Sequence, residues 1–344
     1  MRLHPKIIFC AGLGLAMGLL LGSPGCRPPA KPAAAGLNPD QVSGSNALAE
    51  VQALASIRPR VAGTPGARQA AEHLAARLKA LGIETTLDVF EDKCPGGPAT
   101  FRNVLGVFPA QPPETGWGER LWQKLSSSAD QPAGSGRGWV VLGAHYDTKS
   151  GISATFEGAN DAASGAGLIL ELARLIKAGG ALPFNVLVAF FDGEECRRQY
   201  GPQDGLHGSR RLAKTLLDDG RALNVRAVIV LDMVGDKNLQ LTLPRNGTPR
   251  LLTAVFRAAE ADGARDKFSL YATEILDDHQ PFFEAGMPAV DIIDYEFGSA
   301  PGKNDYWHTP ADTLDKLSAA SLTVVGRVVV RMLNDLAAEP GQER

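Results

Sequence analysis

Short apolar runs that alternate with amphipathic helical stretches restrict the fold of this 344-residue chain more than any other feature. Each run is apolar at successive positions, so both of its faces must be buried, as in the central strands of a parallel sheet. The runs lie at residues 139–143, 185–191, 227–231 and 289–293, and the helical stretches at residues 165–177, 208–218, 249–261 and 318–336. This alternation predicts an α/β fold of three layers, α/β/α, with a central, mostly parallel mixed sheet.

The part of the chain that precedes these runs has a different pattern. Apolar residues recur at helical spacing over residues 47–57 and 67–81, and two strands are predicted at residues 83–90 and 101–108, joined by a Pro/Gly turn. Residues 110–137 are rich in Pro, Gly and Ser, which indicates a surface insertion. We therefore predict a single folded domain over residues 46–338.

The first 25 residues have the layout of a secretory signal peptide. Two basic residues precede an apolar run that is too short to span a bilayer comfortably, and small residues follow it. Cys26 is then either the lipidated cysteine of a bacterial lipoprotein or a residue just after a plain cleavage site, and a membrane-spanning anchor is the third alternative. Residues 26–45 are rich in Pro, Ala and Gly, which predicts a tether. We expect an exported protein, either periplasmic or anchored to the envelope as a lipoprotein.

Charge and cysteine content restrict the function further. The net charge of −3 offers no basic surface for nucleic acid. The four cysteines form no CxxC pair and no zinc-finger spacing, so a bound metal must be held by other residue types. Cys94 and Cys196 are the two that lie in the predicted domain, where a disulfide bond and two free thiols are equally compatible with the sequence.

Polar residues follow the predicted central strands. His145 comes after the first strand, Glu194 and Glu195 after the second, and Asp232 ends the third. In open α/β sheets the carboxyl ends of the strands form the ligand crevice, so these side chains indicate a site. Adjacent glutamates after a buried strand point in opposite directions, so one can bind a metal while its neighbour faces the substrate as a base.

Carboxylates and imidazoles that converge in a cleft are unfavourable unless a cation offsets their charge. Zinc binds such nitrogen and oxygen ligands tetrahedrally and keeps one position open in catalytic sites. Taken singly, Asp161 could cap the following helix, the two glutamates could be solvated, and His308 could belong to a turn. In combination the predicted ligands are His145, Asp161, Glu194, Glu195, Asp232 and His308.

These motifs resemble those of the M28-type zinc peptidases and, among them, most closely the glutaminyl cyclases. The matching stretches are residues 144–147, 158–165, 190–195, 203–209, 231–235, 277–279, 291–293 and 307–309, and the resemblance covers about residues 45–336. It implies a zinc aminopeptidase-like fold with one M28-like catalytic domain. It also implies a peptide substrate with an N-terminal glutamine, which is converted to pyroglutamate with release of ammonia.

Carried over to this chain, the resemblance implies one zinc ion held by Asp161, Glu195 and His308, with Glu194 as general acid and base. Asp232 and Asp277 would form a hydrogen-bond network beside Glu194. Trp307 and His145 would contact the substrate.

Two alternatives remain open on the sequence. His145 and Asp232 are also the residues that would hold a second zinc in an aminopeptidase, with Asp161 as the bridge, so the zinc count is open. Aminopeptidase relatives usually lack an acid at the position of Asp277, which favours the cyclase. A binding domain on a decayed peptidase fold would be indicated by missing ligands, and none is missing. We expect a monomer.

Overall fold

The computed structural model describes residues 36–110, 137–179 and 182–339. The predicted signal peptide, the proposed lipidation site Cys26 and the first part of the predicted tether lie outside the described residues. So does the predicted insertion, except for its two end residues, Ala110 and Arg137. Among the described residues, no helix is both long and apolar enough to cross a membrane.

One sheet of eight strands forms the centre of the described part. The strands are β1 (Glu84–Cys94), β2 (Gly97–Phe108), β3 (Trp139–His145), β4 (Asn185–Phe191), β5 (Val225–Asp232), β6 (Leu241–Leu243), β7 (Phe268–Leu270) and β8 (Ala289–Ile293), in the spatial order β1-β2-β4-β3-β5-β8-β6-β7. The four central strands β4, β3, β5 and β8 are parallel to one another, and antiparallel pairs flank them on both sides. The predicted mixed sheet is therefore confirmed.

Helices cover both faces of this sheet. They are α1 (Gly44–Ala55), α2 (Pro65–Ala80), α3 (Ala163–Gly179), α4 (His207–Asp218), α5 (Pro249–Ala261), α6 (Gln280–Glu284) and α7 (Ala319–Ala338). Alternate residues of a strand pack into different cores: Val140 packs with α1, α3 and α7, whereas Val141 packs with α4 and α6. Because the central strands are buried on both faces, the molecule has the predicted three layers.

The folded region begins earlier than the sequence predicted. Leu37 and Val42 are buried in the core, and the side chain of Asn334 on α7 accepts from the backbone N–H of Leu37 and donates to its carbonyl. Residues 37–45 therefore pack against the domain, and the predicted tether is too long at its C-terminal end.

The predicted Pro/Gly turn is shorter than expected because the strands extend almost to its centre. Cys94 pairs with Gly97 across the turn, and Gly96 and Gly97 adopt φ values of 95° and 115°, which favour glycine. The buried Cys94 thiol donates to the Gly97 carbonyl, and the buried Cys196 is likewise a free thiol. The two cysteines are therefore not paired.

Candidate active site and metal centre

The predicted site residues meet at the carboxyl end of the central strands. His145 is the last residue of β3 and Asp232 the last of β5, while Glu194 and Glu195 lie just after β4. Asp161 precedes α3 and completes the floor of the crevice. These side chains are buried, from 2 % exposed for His145 to 8 % for Asp232. The structure thus brings together residues that are far apart in the sequence, at the edge where a parallel sheet binds ligands.

Two overlapping groups of metal-ligand atoms share Asp161. One consists of Asp161, Glu195 and His308, and the other of His145, Asp161 and Asp232; within each group the ligand atoms lie within 4.8 Å of one another. His308 Nε2 lies 2.9 Å from Glu195 Oε1 and 3.3 Å from Asp161 Oδ2. A single ring N–H cannot point at both oxygens, whereas one tetrahedral cation can bind all three atoms. The first group therefore fits zinc.

Hydrogen bonds between the imidazoles and the carboxylates of the first group shift the pKa values of both. Burial lowers the pKa of His308, but hydrogen bonds to Asp161 and Glu195 outweigh it and raise the pKa to about 10. Burial opposes ionisation of Asp161, yet hydrogen bonds from His145 and His308 hold its pKa below the ordinary value. Metal ligands must be deprotonated, so a bound divalent cation would replace the proton on His308.

The backbone at His308 is in an unusual conformation. Its φ of 54° lies in the left-handed region, which non-glycine residues seldom adopt. The Trp307 ring stacks on the imidazole, with ring centroids 4.0 Å apart. Such backbone geometry in a non-glycine residue is found mainly at functional sites, which agrees with the predicted ligand role of His308.

Two aspartates position the backbone of the proposed ligands. The carboxylate of Asp147 accepts hydrogen bonds from the backbone N–H groups of Glu194, at 3.1 Å, and Glu195, at 3.3 Å. The carboxylate of Asp312 accepts from the backbone N–H groups of Asn160, at 2.7 Å, and Asp161, at 3.1 Å. In the sequence Asp147 belongs to the family-like stretch of residues 144–147, but no sequence signal pointed to Asp312.

Arg60 is a fully buried cation that the sequence analysis missed. Its guanidinium donates to the backbone carbonyls of Tyr146, Glu157 and Gly158, so it ties the end of β3 to the loop that carries Asp161. Burial lowers its pKa to about 10, although Asp312 and other nearby carboxylates raise it. Arg60 therefore remains a cation at neutral pH and offsets part of the negative charge of the site.

Glu194 lies in an environment suited to an acid–base residue. Burial raises its pKa well above the ordinary value; the charge of His145 lowers it, and those of Glu195 and Asp277 raise it. The hydroxyl of Tyr200 lies 3.0 and 3.2 Å from the two carboxylate oxygens and donates to them. Tyr200 was missed because it reaches Glu194 from a loop without a recognisable pattern.

Glu195 has a different neighbour. Lys149 Nζ lies 3.2 Å from Glu195 Oε2 and donates to the backbone carbonyl of Cys196 at 2.8 Å. Burial lowers the pKa of Lys149, but Glu195 and Cys196 raise it above the ordinary value, so the amine stays charged. The ammonium therefore holds Oε2 while Oε1 faces His308. Lys149 had also not been predicted.

A second acidic cluster adjoins Glu194. The ligand atoms of Asp277, His279 and Asp291 lie within 4.8 Å of one another, and all three side chains are buried. Burial raises the pKa of Asp291, and the neighbouring charge of Asp277 raises it further. Burial also raises the pKa of Asp232, to about 7. A hydrogen bond from His145 lowers this pKa, and the charge of Asp277 raises it. The charge of Asp277 thus contributes to raising the pKa of both Glu194 and Asp232, and its role in the reaction stays a prediction.

His145 is less accessible than a substrate-contacting residue would be. Its Nε2 lies 3.2 Å from Asp161 Oδ1 and 3.3 Å from Asp232 Oδ1. Burial lowers its pKa, but hydrogen bonds to Asp147, Asp161 and Asp232 raise it well above the ordinary value. The ring therefore lies between carboxylates. Its predicted contact with substrate stays a prediction.

Comparison with known proteins agrees with this geometry. Residues 128–333 match the model of peptidase family M28, and the chain belongs to that family. M28 enzymes are zinc-dependent, in agreement with the ligand atoms grouped around Asp161.

Its relatives include glutaminyl cyclases. The glutaminyl-peptide cyclotransferase of Dictyostelium discoideum is 27 % identical over 305 residues, which cover 79 % of this chain and 80 % of the relative. The crystal structure of a glutaminyl cyclase from an Acidobacteriales bacterium matches with a TM-score of 0.73 and 29 % identity, covering 86 % of this chain and 94 % of the other. The glutaminyl cyclase of Porphyromonas gingivalis matches with a TM-score of 0.72 and 28 % identity, covering 86 % and 99 %. The resemblance to glutaminyl cyclases is therefore confirmed.

Proposed function

We propose that this protein is a zinc-dependent glutaminyl-peptide cyclotransferase, which converts the N-terminal glutamine of peptides to pyroglutamate and releases ammonia. The observation that carries the proposal is that Glu194 is buried, that the charge of the buried Asp277 helps to raise its pKa, and that it directly precedes Glu195 of the ligand group with Asp161 and His308. The names of the relatives support the same activity.

When bound by Asp161, Glu195 and His308, zinc would supply Lewis-acid polarisation of the side-chain amide carbonyl. Glu194 accepts a proton from the α-amine as the nitrogen attacks the amide carbon, and it returns the proton to the departing nitrogen. Because its pKa is raised, Glu194 is suited to both directions of transfer near neutral pH. Attack is intramolecular, so holding the amine against the amide carbon supplies much of the acceleration.

The surrounding residues assist this proton transfer. We assign Asp277 and Asp232 to the network that stabilises the proton on Glu194, and Tyr200 to the orientation of its carboxylate. Trp307, which is partly exposed and stacks on His308, closes the pocket around the short glutamine side chain. Closure limits water, which would otherwise hydrolyse the amide.

We propose that the site holds one zinc ion, bound by Asp161, Glu195 and His308, and that His145 contacts the substrate. His145 Nε2 lies 3.2 Å from Asp161 Oδ1 and 3.3 Å from Asp232 Oδ1, so the imidazole can join these two carboxylates by hydrogen bonds without a second ion. Metal analysis of purified protein should give one zinc per chain, and two per chain would contradict this assignment.

The second candidate function is an M28 aminopeptidase. It is favoured by the grouping of His145, Asp161 and Asp232, which could hold a second zinc, with Glu194 activating water. Incubation of the purified protein with Gln-peptides and with Leu-anilides separates the two functions. We expect ammonia and pyroglutamate from the Gln-peptides. Release of aromatic amine from Leu-anilides without pyroglutamate would favour the aminopeptidase.

We further propose that the chain is exported, either cleaved after residue 25 or lipidated at Cys26, and that it acts as a monomer. The basic and apolar layout of the first 25 residues supports export. Intact-mass measurement on envelope material should show the loss of these residues, with or without a lipid. Full-length cytoplasmic protein would contradict export, and light scattering of the mature form tests the monomer.

A further inference from the structure

The loop between β4 and α4 carries Tyr200, and both of its ends lie at the candidate site. We call residues 196–205 the tyrosine loop. It directly follows Glu195, and at its other end the backbone N–H of Leu206 donates to the carbonyl of Glu194 at 2.9 Å. Because the loop leaves and rejoins the site in this way, its internal contacts decide where the Tyr200 side chain lies.

Asp204 binds the backbone on both sides of Tyr200. Its carboxylate accepts hydrogen bonds from three N–H groups that precede the tyrosine, those of Arg197 at 2.6 Å, Arg198 at 2.9 Å and Gln199 at 3.0 Å. Its backbone pairs with that of Gly201, which follows the tyrosine, through hydrogen bonds of 3.0 and 3.2 Å. Asp204 is also buried. One buried residue therefore fixes the stretch of backbone from which the Tyr200 ring projects.

Gly205 leaves the space that the Tyr200 ring occupies. Its φ of 82° lies in the left-handed region, which glycine adopts without steric cost. A Cβ at this position would lie 2.5 and 2.7 Å from two ring carbons of Tyr200 and 2.9 Å from the carbonyl oxygen of Glu194, which is too short for van der Waals contact. The ring therefore packs directly on the Gly205 backbone, and a side chain there would displace it.

We propose that Asp204 and Gly205 are positioning residues that hold the Tyr200 hydroxyl on the carboxylate of Glu194. The inference rests on the proposed function, because it takes Glu194 as the residue that carries the proton. The hydroxyl lies 3.0 and 3.2 Å from the two carboxylate oxygens, so a ring displacement of about 1 Å breaks the hydrogen bond. This role also accounts for the Asp-Gly pair within the matching stretch of residues 203–209.

The first test is Gly205→Ala, with Gly220→Ala as its matched control. Gly220 also has a positive φ, of 68°, but apart from its chain neighbours no atom of the described residues lies within 4 Å of a Cβ placed there. Both substitutions should lower the midpoint of chemical denaturation, because alanine is strained at a positive φ. Only Gly205→Ala should lower kcat for ammonia release, by about tenfold, as for loss of a hydrogen bond to a charged group. KM and zinc content should stay close to those of wild type.

Asp204→Asn is a second test, which does not depend on a steric clash. Asparagine keeps one accepting oxygen but turns an NH2 group toward the backbone N–H groups, so part of the hydrogen bonding is lost. We expect kcat to fall by about threefold to tenfold. Both substitutions are then repeated in Tyr200→Phe protein, which lacks the hydroxyl. In that background each should lower kcat by less than about twofold, because no hydroxyl remains to be misplaced.

Three kinetic results would overturn the inference. One is a kcat that Gly205→Ala and Asp204→Asn both leave unchanged. Another is an equal loss of kcat in Gly220→Ala, which would mean that strain in any loop lowers turnover. The third is a loss that is just as large in the Tyr200→Phe background, because the Asp-Gly pair would then act on Glu194 without the tyrosine.

Failure of the proposed function gives a different result, since wild type then releases no ammonia from Gln-peptides. Crystal structures of wild type, Gly205→Ala and Asp204→Asn test the positioning without any activity. We expect the Tyr200 hydroxyl to lie within hydrogen-bond distance of the Glu194 carboxylate in wild type and beyond about 3.5 Å from it in both variants. A hydroxyl that keeps its hydrogen bond in both variants would contradict the positioning role.

Discussion

The hydroxyl of Tyr200 lies 3.0 and 3.2 Å from the two carboxylate oxygens of Glu194 and donates its hydrogen bond to this side chain. A hydrogen bond of this kind fixes the direction in which the carboxylate faces the substrate. It also favours the charged form of Glu194, against the effect of burial. If Glu194 is the base, as proposed, we expect Tyr200 to orient it without itself taking or giving the proton.

Tyr200→Phe should lower kcat for ammonia release by about tenfold, because a hydrogen bond to a charged group is lost. Zinc content should not change, since Tyr200 contacts none of the proposed ligands. Tyr146→Phe is the matched control: its hydroxyl donates to the Arg102 carbonyl, so its removal should lower stability more than turnover. An unchanged kcat in Tyr200→Phe would contradict the role proposed for this hydroxyl.

The sequence predicted the central part of the fold well because the information there is local. A strand buried on both faces must be apolar at most positions, and β3, β4, β5 and β8 show this in the sequence itself, although β5 contains Arg226 and β8 contains Asp291. Strands β6 and β7 have three residues each, too few to establish a period, and were missed. Leu37 and Val42 pack in the core from a Pro- and Gly-rich segment, where isolated apolar residues give no pattern.

The candidate site was predictable to the extent that its residues end strands or belong to family motifs. His145, Glu194, Glu195 and Asp232 lie where the strand pattern placed them. Arg60, Lys149, Tyr200 and Asp312 reach the same crevice from loops, and only the three-dimensional path of the chain brings them there. These side chains form hydrogen bonds and ion pairs within the crevice. Such contacts do not require the residues to lie at a characteristic spacing in the sequence.

Glu194→Gln should keep zinc and lower turnover by at least about a hundredfold, the lower range for loss of a general acid–base. Glu195→Gln is the matched variant one residue away, and it should lose zinc because Glu195 Oε1 belongs to the ligand group with Asp161 and His308. Metal analysis and ammonia release on both proteins test the assignment. If Glu194→Gln lost the metal and Glu195→Gln kept it, the two roles would be reversed.

Removal of zinc by a chelator should abolish activity and leave the domain folded. The sheet core is apolar and extensive, so the fold does not depend on the ion as a zinc finger does. Circular dichroism and ammonia release are measured before and after verified metal loss. Added zinc should restore turnover. Full activity without zinc would defeat the metal assignment, and a lost fold would defeat the structural argument.

Asp294 gives the protein a pH-dependent stability away from the metal ligands. Burial raises the pKa of Asp294 to about 7. The hydrogen bond from the Gln240 backbone N–H lowers this pKa, and the charge of Asp236 raises it. The unfolded chain releases this proton near the ordinary value of 3.8, whereas the folded protein keeps it until about pH 7. Stability is therefore lost as pH rises across this window, by up to about 4 kcal/mol at this site.

Asp294→Asn should consequently raise the free energy of unfolding at pH 8 by about 1–3 kcal/mol and change it much less at pH 4. Denaturant titrations of wild type and variant at both pH values make the comparison. The exposed Asp266→Asn substitution is the matched control. Equal effects of Asp294→Asn at pH 4 and pH 8 would contradict the raised pKa.

Asp277 separates the cyclase from a peptidase, and Asp277→Asn is the decisive substitution because it removes the charge and keeps the shape. In cyclisation the proton must pass from the α-amine to the departing amide nitrogen, and Glu194 is the residue proposed to carry it. A second buried acid there can share the proton in transit, and the charge of Asp277 raises the pKa of both Glu194 and Asp291. A peptidase that activates water has no need of a second acid at this position.

Asp277→Asn should therefore lower ammonia release from Gln-peptides by about a hundredfold or more. Zinc content should stay at the wild-type level, because the three proposed ligands lie in a different group. Circular dichroism checks that the variant is folded, and metal analysis checks the ion. Ammonia release close to that of wild type would remove Asp277 from the proton network. If wild-type protein cleaves Leu-anilides and forms no pyroglutamate, the cyclase proposal fails and the aminopeptidase takes its place.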